Sequence, residues 1–291
     1  MPARRLILVD GHSVAFRAHY ALPDSIRDRD GAPAHALYGF FNIVFRVLQD
    51  HAPTHLAVTF DLGKPLREDL FAGYKAQRTE GPEDLEPQVG KVRLVLAAFG
   101  IPCFELDRFE ADDLLATLTR QARDKKLDVD VLSGDLDILQ LVRPGVRVIA
   151  PGKTFSVPIV YDVAAVAARY GIGPERLRDW KSLVGDTSDA IPGVRGIGAK
   201  SATALLLRWT DLDAIYANLE KIEPLRLRTA LVTGREAAFL SRALVQLRDD
   251  APVVLDVEAC ALTHFDRDRG VAALRDLGFD TLSSRVPNWA S

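Results

Sequence analysis

Leu6-Ile7-Leu8-Val9 is apolar at every position and stops at Asp10. A strand without polar alternation is buried on both faces, as in a parallel sheet covered by helices. His55–Phe60 repeats the pattern and ends at Asp61, and the strand at Asp128–Ser133 runs into Gly134-Asp135-Leu136-Asp137. Another strand is predicted at 146–150. Leu37, Phe40, Phe41, Val44 and Leu48 recur at helical spacing across 35–50, as do Val89, Val92, Val95, Leu96 and Phe99 further on. Strands alternating with helices predict an α/β fold with a mostly parallel central sheet flanked by helices. Ligands of such sheets lie beyond the carboxyl ends of the strands. One aspartate after a strand is an ordinary turn residue. Three strands ending that way put acids on the edge where a ligand would sit.

Glu110-Ala111-Asp112-Asp113 joins them. Ala111, Leu114, Leu115, Leu118 and Ala122 define a buried helical face, so these acids lie on the first turn. If the preceding strand, Ile101–Glu105, is parallel to the others, that turn opens on the same edge. A helix start favours negative charge, and one acid there is routine. Three repel one another unless a cation intervenes.

After residue 160 helical signals dominate, with candidates at 162–170, 174–184, 198–208, 212–219, 224–232 and 235–247. We place a boundary near 170, giving an α/β domain over 1–170 and a helical domain over 171–291. The last 40 residues read as a return segment, with a short strand at Val253–Val257 and a helix at 268–277. Charged residues make up 26% and apolar ones 48% of the 291 residues, an ordinary globular balance. No apolar run reaches the length of a membrane span. The apolar run after Arg4 and Arg5 is too short for a signal peptide, which predicts a cytoplasmic protein. Cys103 and Cys260 form no zinc or CxxC spacing and read as buried small apolar residues.

Gly185-Asp186-Thr187-Ser188-Asp189 adds two acids, for nine in all: Asp10, Asp61, Glu110, Asp112, Asp113, Asp135, Asp137, Asp186 and Asp189. Oxygen donors without thiolate, and with few histidines nearby, select magnesium or manganese over zinc. Magnesium uses few direct carboxylates, so the surplus suggests two ions and an outer shell that holds waters. Two ions roughly 4 Å apart clamp in-line displacement at phosphate. Asp112, Asp113 and Asp135 are the candidates for direct or near-direct contact with the ions.

Ile191-Pro-Gly-Val-Arg-Gly-Ile-Gly-Ala-Lys200 stands between two helical patterns. Gly196 and Gly198 would let backbone N–H groups at a helix start approach a phosphate; the plainer reading is a helix C-cap and tight turn. The span 193–208 carries Arg195, Lys200 and Arg208 and no acid, a local charge of +3 that offsets the overall −3. Residues 221–248 add Lys221, Arg226, Arg228, Arg235, Arg242 and Arg248 against two glutamates. Most such runs are solvated faces; beside a glycine hairpin they read as phosphate contacts.

Taken in order, Leu8-Val-Asp-Gly11, Phe16-Arg17, Phe60-Asp61, Tyr74-Lys75 with Arg78, Glu110-Ala-Asp-Asp113, Gly134-Asp-Leu-Asp137, Gly185-Asp-Thr-Ser-Asp189 and Ile191-Pro-Gly-Val194 with Gly196-Ile-Gly198 and Lys200 cover nearly the whole chain. The ordered set resembles the 5′-3′ exonuclease domain of bacterial DNA polymerase I, in the flap endonuclease superfamily. The resemblance implies a nuclease of replication and repair acting on 5′ flaps and 5′ ends of DNA, with all nine acids around two or three divalent ions. It implies a helical arch or clamp at 62–87, and a helix-hairpin-helix at about 185–208. Lys75 and Arg78 would steer the scissile phosphate, Tyr74 would stack on an unpaired base, and Arg17 and Arg67 would contact phosphates. Gly193, Arg195, Gly196, Gly198 and Lys200 would hold the duplex backbone, and a potassium ion at the hairpin is a further expectation. A monomer is expected, with a polymerase domain in the same chain or a separate one. Leu136 and Ala190 stand where relatives often have lysine and asparagine, which removes one positive charge and one hydrogen-bonding side chain near the acids. Two rival readings are a PIN-like metal-dependent ribonuclease and a flap-binding module without activity.

Overall fold

The computed structural model describes residues 4–77, 81–152 and 158–288. In chain order the first half runs β1 (Arg5–Asp10), α1 (Gly11–Ala21), α2 (His35–His51), β2 (His55–Thr59), α3 (Arg67–Leu70), α4 (Leu85–Ala98), β3 (Cys103–Phe104), α5 (Ala111–Asp124), β4 (Asp128–Leu132), β5 (Val146–Ala150), β6 (Ile159–Tyr161) and α6 (Val163–Tyr170). The rest is helical: α7 (Leu177–Val184), α8 (Ala199–Arg208), α9 (Leu212–Ala217), α10 (Leu225–Thr233), α11 (Arg235–Val245), α12 (Arg267–Asp276) and α13 (Asp280–Ser283).

The strands form one sheet in the order β3-β2-β1-β4-β5-β6, parallel except for β6, which pairs antiparallel with β5. The chain builds outward from β1 in one direction and then, from β4, in the other. The switch point therefore lies between β1 and β4, where Leu8 pairs with Val131 and Val9 with Leu132. Side chains alternate between two apolar layers, as a period of two requires. Ile7, Val9, Leu56 and Val58 join α1, α2 and α4, while Leu6, Leu8, Val129 and Val131 join α5 and the second-half helices. Both layers are dry, which is why β1 carries no polar residue between Arg5 and Asp10.

Several expectations need correction. Helix α1 went unread because its buried face is small (Val14, Ala15, Ala18) while its large residues, Phe16 and Tyr20, are 47% and 66% exposed. Residues 253–257 form no strand; the Gln121 side chain of α5 donates to Val253 O and accepts from Leu255 N–H, both at 2.7 Å. Cys103 lies exposed on the edge strand, whereas Cys260 is buried. In the segment expected to arch over the site, residues 62–77 hold one helical turn, α3, and are packed down: Phe71 and Tyr74 join Ile191, Leu244 and Val245 in a small core. The return segment docks α12 against α4 and α13 against α2, with Phe265 stacked on Phe99 at 4.8 Å.

Candidate active site

The switch point is held by serine hydroxyls. Asp10, last in β1, also caps α1: its Oδ1 accepts from Ser13 N–H at 3.0 Å and its Oδ2 from Ser133 Oγ at 2.7 Å. Ser13 Oγ accepts from Gly134 N–H at 2.9 Å, pinning the start of α1 to the loop after β4. Gly11 is required here, since an added Cβ would stand 2.3 Å from the Phe60 ring. Asp61, one residue past β2's neighbour Phe60, reaches across to α5, accepting from Ala111 N–H at 2.7 Å. Asp135 starts a 3₁₀ turn over Leu136–Leu141, and its Oδ1 accepts from Asp137 N–H at 2.8 Å. The carboxyl ends of β1, β2 and β4 and the first turn of α5 thus meet on one edge.

Of the nine acids, Glu110, Asp113, Asp137 and Asp186 are paired with a lysine or arginine among the described residues, Asp10, Asp61, Asp112 and Asp135 are not, and Asp189 is buried beside them. Asp113 is taken up wholly by the protein: Arg67 grips both oxygens at 2.7 Å, and Arg248 N–H donates to Oδ1 at 2.9 Å. Arg67 also bonds Glu110 Oε2 at 2.6 Å and the carbonyls of Leu244 (2.8 Å) and Gln246 (2.6 Å). All five of its N–H donors are thereby used, and the residue is buried. Two expectations are overturned: Arg67 has no donor left for a phosphate, and Asp113 has an arginine where an ion was expected. Glu110 also receives Lys75 Nζ and, at 3.1 Å, the Tyr74 hydroxyl. Burial alone would raise the Glu110 pKa, but Lys75 and Arg67 outweigh it and hold the carboxyl below its usual range. Tyr74 is 6% exposed. Its ring lies in the core rather than open to a base, and burial and Glu110 push its pKa far up.

Lys181 of α7 performs the same service between the two halves, pairing with Asp137 and, at 2.6 Å, with Asp186. A cation is therefore present beside Asp137 although Leu136 replaces the lysine of relatives. Asp186 Oδ1 further accepts from Ser188 N–H at 2.8 Å and Oγ at 2.5 Å. Asp189 is buried, and its carbonyl accepts from Lys75 N–H at 3.0 Å.

Asp10, Asp61, Asp112 and Asp135 remain, each outside every lysine or arginine ion pair among the described residues. Burial first, and then the Asp61 charge, drive the Asp10 pKa up to about 7. Burial and the charges of Asp135, Asp10 and Glu110 push Asp112 well above the carboxylate range. Asp137 reaches about 6 through burial and Asp135, with Lys181 opposing. Mutually destabilised carboxylates with an all-oxygen donor set fit hard divalent cations. Asp135, Asp137, Lys181, Asp186 and Asp189 line one cleft of about 490 Å³, which brings the acids of both halves together.

The hairpin between α7 and α8 closes on itself: Gly185 (φ +78°) and Gly193 (φ +59°) press so closely that a Cβ on Gly193 would lie 2.4 Å from Gly185 N. Gly193 N–H donates to Ser241 Oγ at 2.9 Å, so Gly193 packs inward instead of facing a phosphate. Arg195, Gly196, Gly198 and Lys200 are exposed at the start of α8. Lys200 lines an open groove of about 860 Å³ with Arg169, Tyr170 and Trp180. Of the further basic residues, Arg228, Arg242 and Arg248 are paired with Glu223, Asp213 and Asp250. Arg17 Nη2 donates to Gly152 O at 2.6 Å. Arg78 lies outside the described residues.

Family models describing a 5′-3′ exonuclease N-terminal resolvase-like domain and a 5′-3′ exonuclease C-terminal SAM fold match residues 5–171 and 172–268. The chain belongs to the 5′-3′ exonuclease family. It is 43% identical over 287 residues to DNA polymerase I of Chloroflexus aurantiacus, an alignment covering 97% of this chain and 30% of that protein. With DNA polymerase I of Bacillus caldotenax it shares 38% identity over 289 residues, covering 99% of this chain and 33% of the relative. The exonuclease chain thus spans about a third of the length of these relatives. Its fold is that of the bacteriophage T5 flap endonuclease, solved as a pseudo-enzyme-product complex with DNA and metal ions, at a TM-score of 0.68 and 22% identity over 97% and 98% of the two chains. Flap endonuclease-1 from Methanococcus jannaschii shares the fold at a TM-score of 0.61 and 19% identity, over 98% and 91%.

Sequence reasoning passed over four residues of this exonuclease site. Ser13 and Ser133 orient Asp10, Lys181 joins Asp137 to Asp186, and His12 Nδ1 accepts from Asp61 N–H at 3.0 Å. Reading α1 as a helix capped by Asp10 would have placed His12 and Ser13 on its first turn.

Proposed function

We propose that this exonuclease hydrolyses DNA phosphodiesters at 5′ ends and 5′ flaps with two divalent ions, magnesium or manganese, and leaves a 5′-phosphate. The observation that carries the reading is the quartet Asp10, Asp61, Asp112 and Asp135: acids gathered on one edge, Asp10 and Asp112 raised in pKa by burial and then by their neighbours' charge, with no lysine or arginine paired to them among the described residues. Bound there, the ions would activate water and offset charge on the leaving oxygen. Asp112 and Asp135 are the nearest candidates for direct ligands, with Asp10 held in place by Ser13 and Ser133. Asp137, Asp186 and Asp189 serve as the outer shell on the far side of the cleft.

The protein's own groups then position the substrate. Lys75 reaches the rim of the cluster from a left-handed backbone position (φ +54°) and rests on Glu110. Transfer of its ammonium from Glu110 to the scissile phosphate would orient that phosphate, with Arg78 as a second cation. Arg67, Tyr74, Glu110 and Asp113 support Lys75 from behind. Arg195, Lys200 and the open N–H groups at Gly196 and Gly198 anchor the duplex by its backbone, without reading bases; a potassium ion there would bridge the same groups. We place the chain as a monomer in the cytoplasm, acting in primer and flap removal beside a polymerase domain in the same or a separate chain.

The test is cleavage of a 5′-labelled flap duplex with magnesium, with EDTA, and by Asp112→Asn. Cleavage should vanish in EDTA and fall at least about 100-fold in the variant, the scale of losing charge stabilisation at a reacting centre. A single-stranded RNA of equal length should be a poor substrate. Flap binding without turnover at any magnesium concentration would reject the hydrolytic reading.

A further inference from the structure

Away from the acid edge, α1, α2 and the start of α4 bring together a second set of metal-capable side chains that the nuclease reading does not use. His19 from the last turn of α1, His35 at the start of α2 and Asp84 just before α4 each offer a ligand atom, and these atoms lie within 4.8 Å of one another. Among the described residues no other group of three does so. His19 Nε2 stands 2.9 Å from Asp84 Oδ1, and His35 Nε2 stands 3.9 Å from Asp84 Oδ2. The two rings lie 4.3 Å apart, tilted by 57°.

The ring nitrogens turned to Asp84 are both Nε2. Nδ1 of each ring is buried without a hydrogen-bond partner, and His35 as a residue is only 2% exposed, so packing alone fixes both rings with Nε2 toward the carboxylate. Asp84 is itself held in place: the Gln88 amide donates to its Oδ2 and its carbonyl, both at 3.0 Å, while Gln88 Oε1 accepts from Ala36 N–H at 2.8 Å. Such outer bonds are what keep a ligating carboxylate oriented.

We propose that His19, His35 and Asp84 bind one divalent cation of the zinc class and clamp α1 and α2 to the start of α4. Two imidazoles and one carboxylate suit zinc, cobalt(II) or nickel, and suit magnesium poorly. The clamp would fasten the far end of the 62–84 segment, which carries Lys75 to Glu110, onto the helix capped by Asp10. It does not depend on the hydrolytic reading.

The experiment is titration of the chelator-stripped full chain with zinc chloride by calorimetry, in excess magnesium, with thermal melting in parallel. One equivalent should bind with a Kd below about 1 μM and raise the melting temperature, since a ligand of the native state alone stabilises it. His19→Gln, His35→Gln and Asp84→Asn should each weaken that binding at least about tenfold, the lower end of losses seen even for outer-shell partners. Each variant is read only where its circular dichroism matches the parent. Asp112→Asn should leave zinc binding unchanged, which separates this site from the carboxylate cleft. Absence of micromolar zinc binding in the parent chain overturns the proposal, as does binding lost in Asp112→Asn but kept in the histidine variants.

Discussion

Arg67 is the residue whose role changed most between sequence and structure. The family resemblance implied a phosphate contact for this side chain. Its five donors instead stitch α3 to α5 and to the carbonyls at the end of α11. Removing one partner of a buried ion pair leaves an uncompensated charge, at a cost of roughly 3–5 kcal/mol. Arg67→Ala should therefore lower the unfolding free energy in urea by that amount, whereas loss of a mere phosphate contact would weaken DNA binding and leave stability alone. Ala190 offers the opposite case. It sits at φ +57°, a left-handed conformation that penalises alanine and that asparagine tolerates better. Ala190→Asn should stabilise the chain by about 0.5–1 kcal/mol, read as a rise in melting temperature. Sequence alone registers only that relatives often carry asparagine there; the backbone angle supplies the reason.

The edge formed by β1, β2, β4 and α5 carries the pH dependence. The folded Asp10 carboxyl keeps its proton up to about pH 7, while the unfolded one releases it near pH 4. Between those values the folded chain binds more protons, so stability falls as pH rises through that window. In EDTA, Asp10→Asn should be more stable than the parent above pH 7, by on the order of 1–4 kcal/mol, and the gap should close only below about pH 4. Magnesium should stabilise the parent far more than the variant. Urea unfolding at a series of pH values checks both. The strand ends were legible because a short unbroken apolar run between turn signals fits a strand buried on both faces, and the aspartate next in the chain then lands on the ligand edge. Helix α1 was not, because its buried face is made of small residues while Phe16 and Tyr20 point outward. Val253–Val257 failed for a related reason: apolar residues suggested a strand, but the segment bonds to the Gln121 side chain and not to a sheet edge.

Across the whole molecule, one apolar cluster runs from Leu6, Leu8 and Val131 in the sheet to Leu183, Leu205 and Leu255 beyond it. We expect the full chain to melt in a single cooperative transition, and a fragment ending at residue 171 to lack that transition in calorimetry, because half of the sheet's covering would be gone. No helix among the described residues is long and apolar enough to cross a membrane. What the sequence determined by itself was the α/β order, the strand-end acids and the glycine hairpin, since each is written in local periodicity or in contiguous residues. What only the tertiary structure decided was the partition of those acids. Arg67 with Asp113, Lys75 with Glu110, and Lys181 between Asp137 and Asp186 join residues far apart in the chain. Whether a carboxylate is neutralised by an arginine or left for a metal ion depends on which side chains the packed helices bring within reach, and no local pattern encodes that.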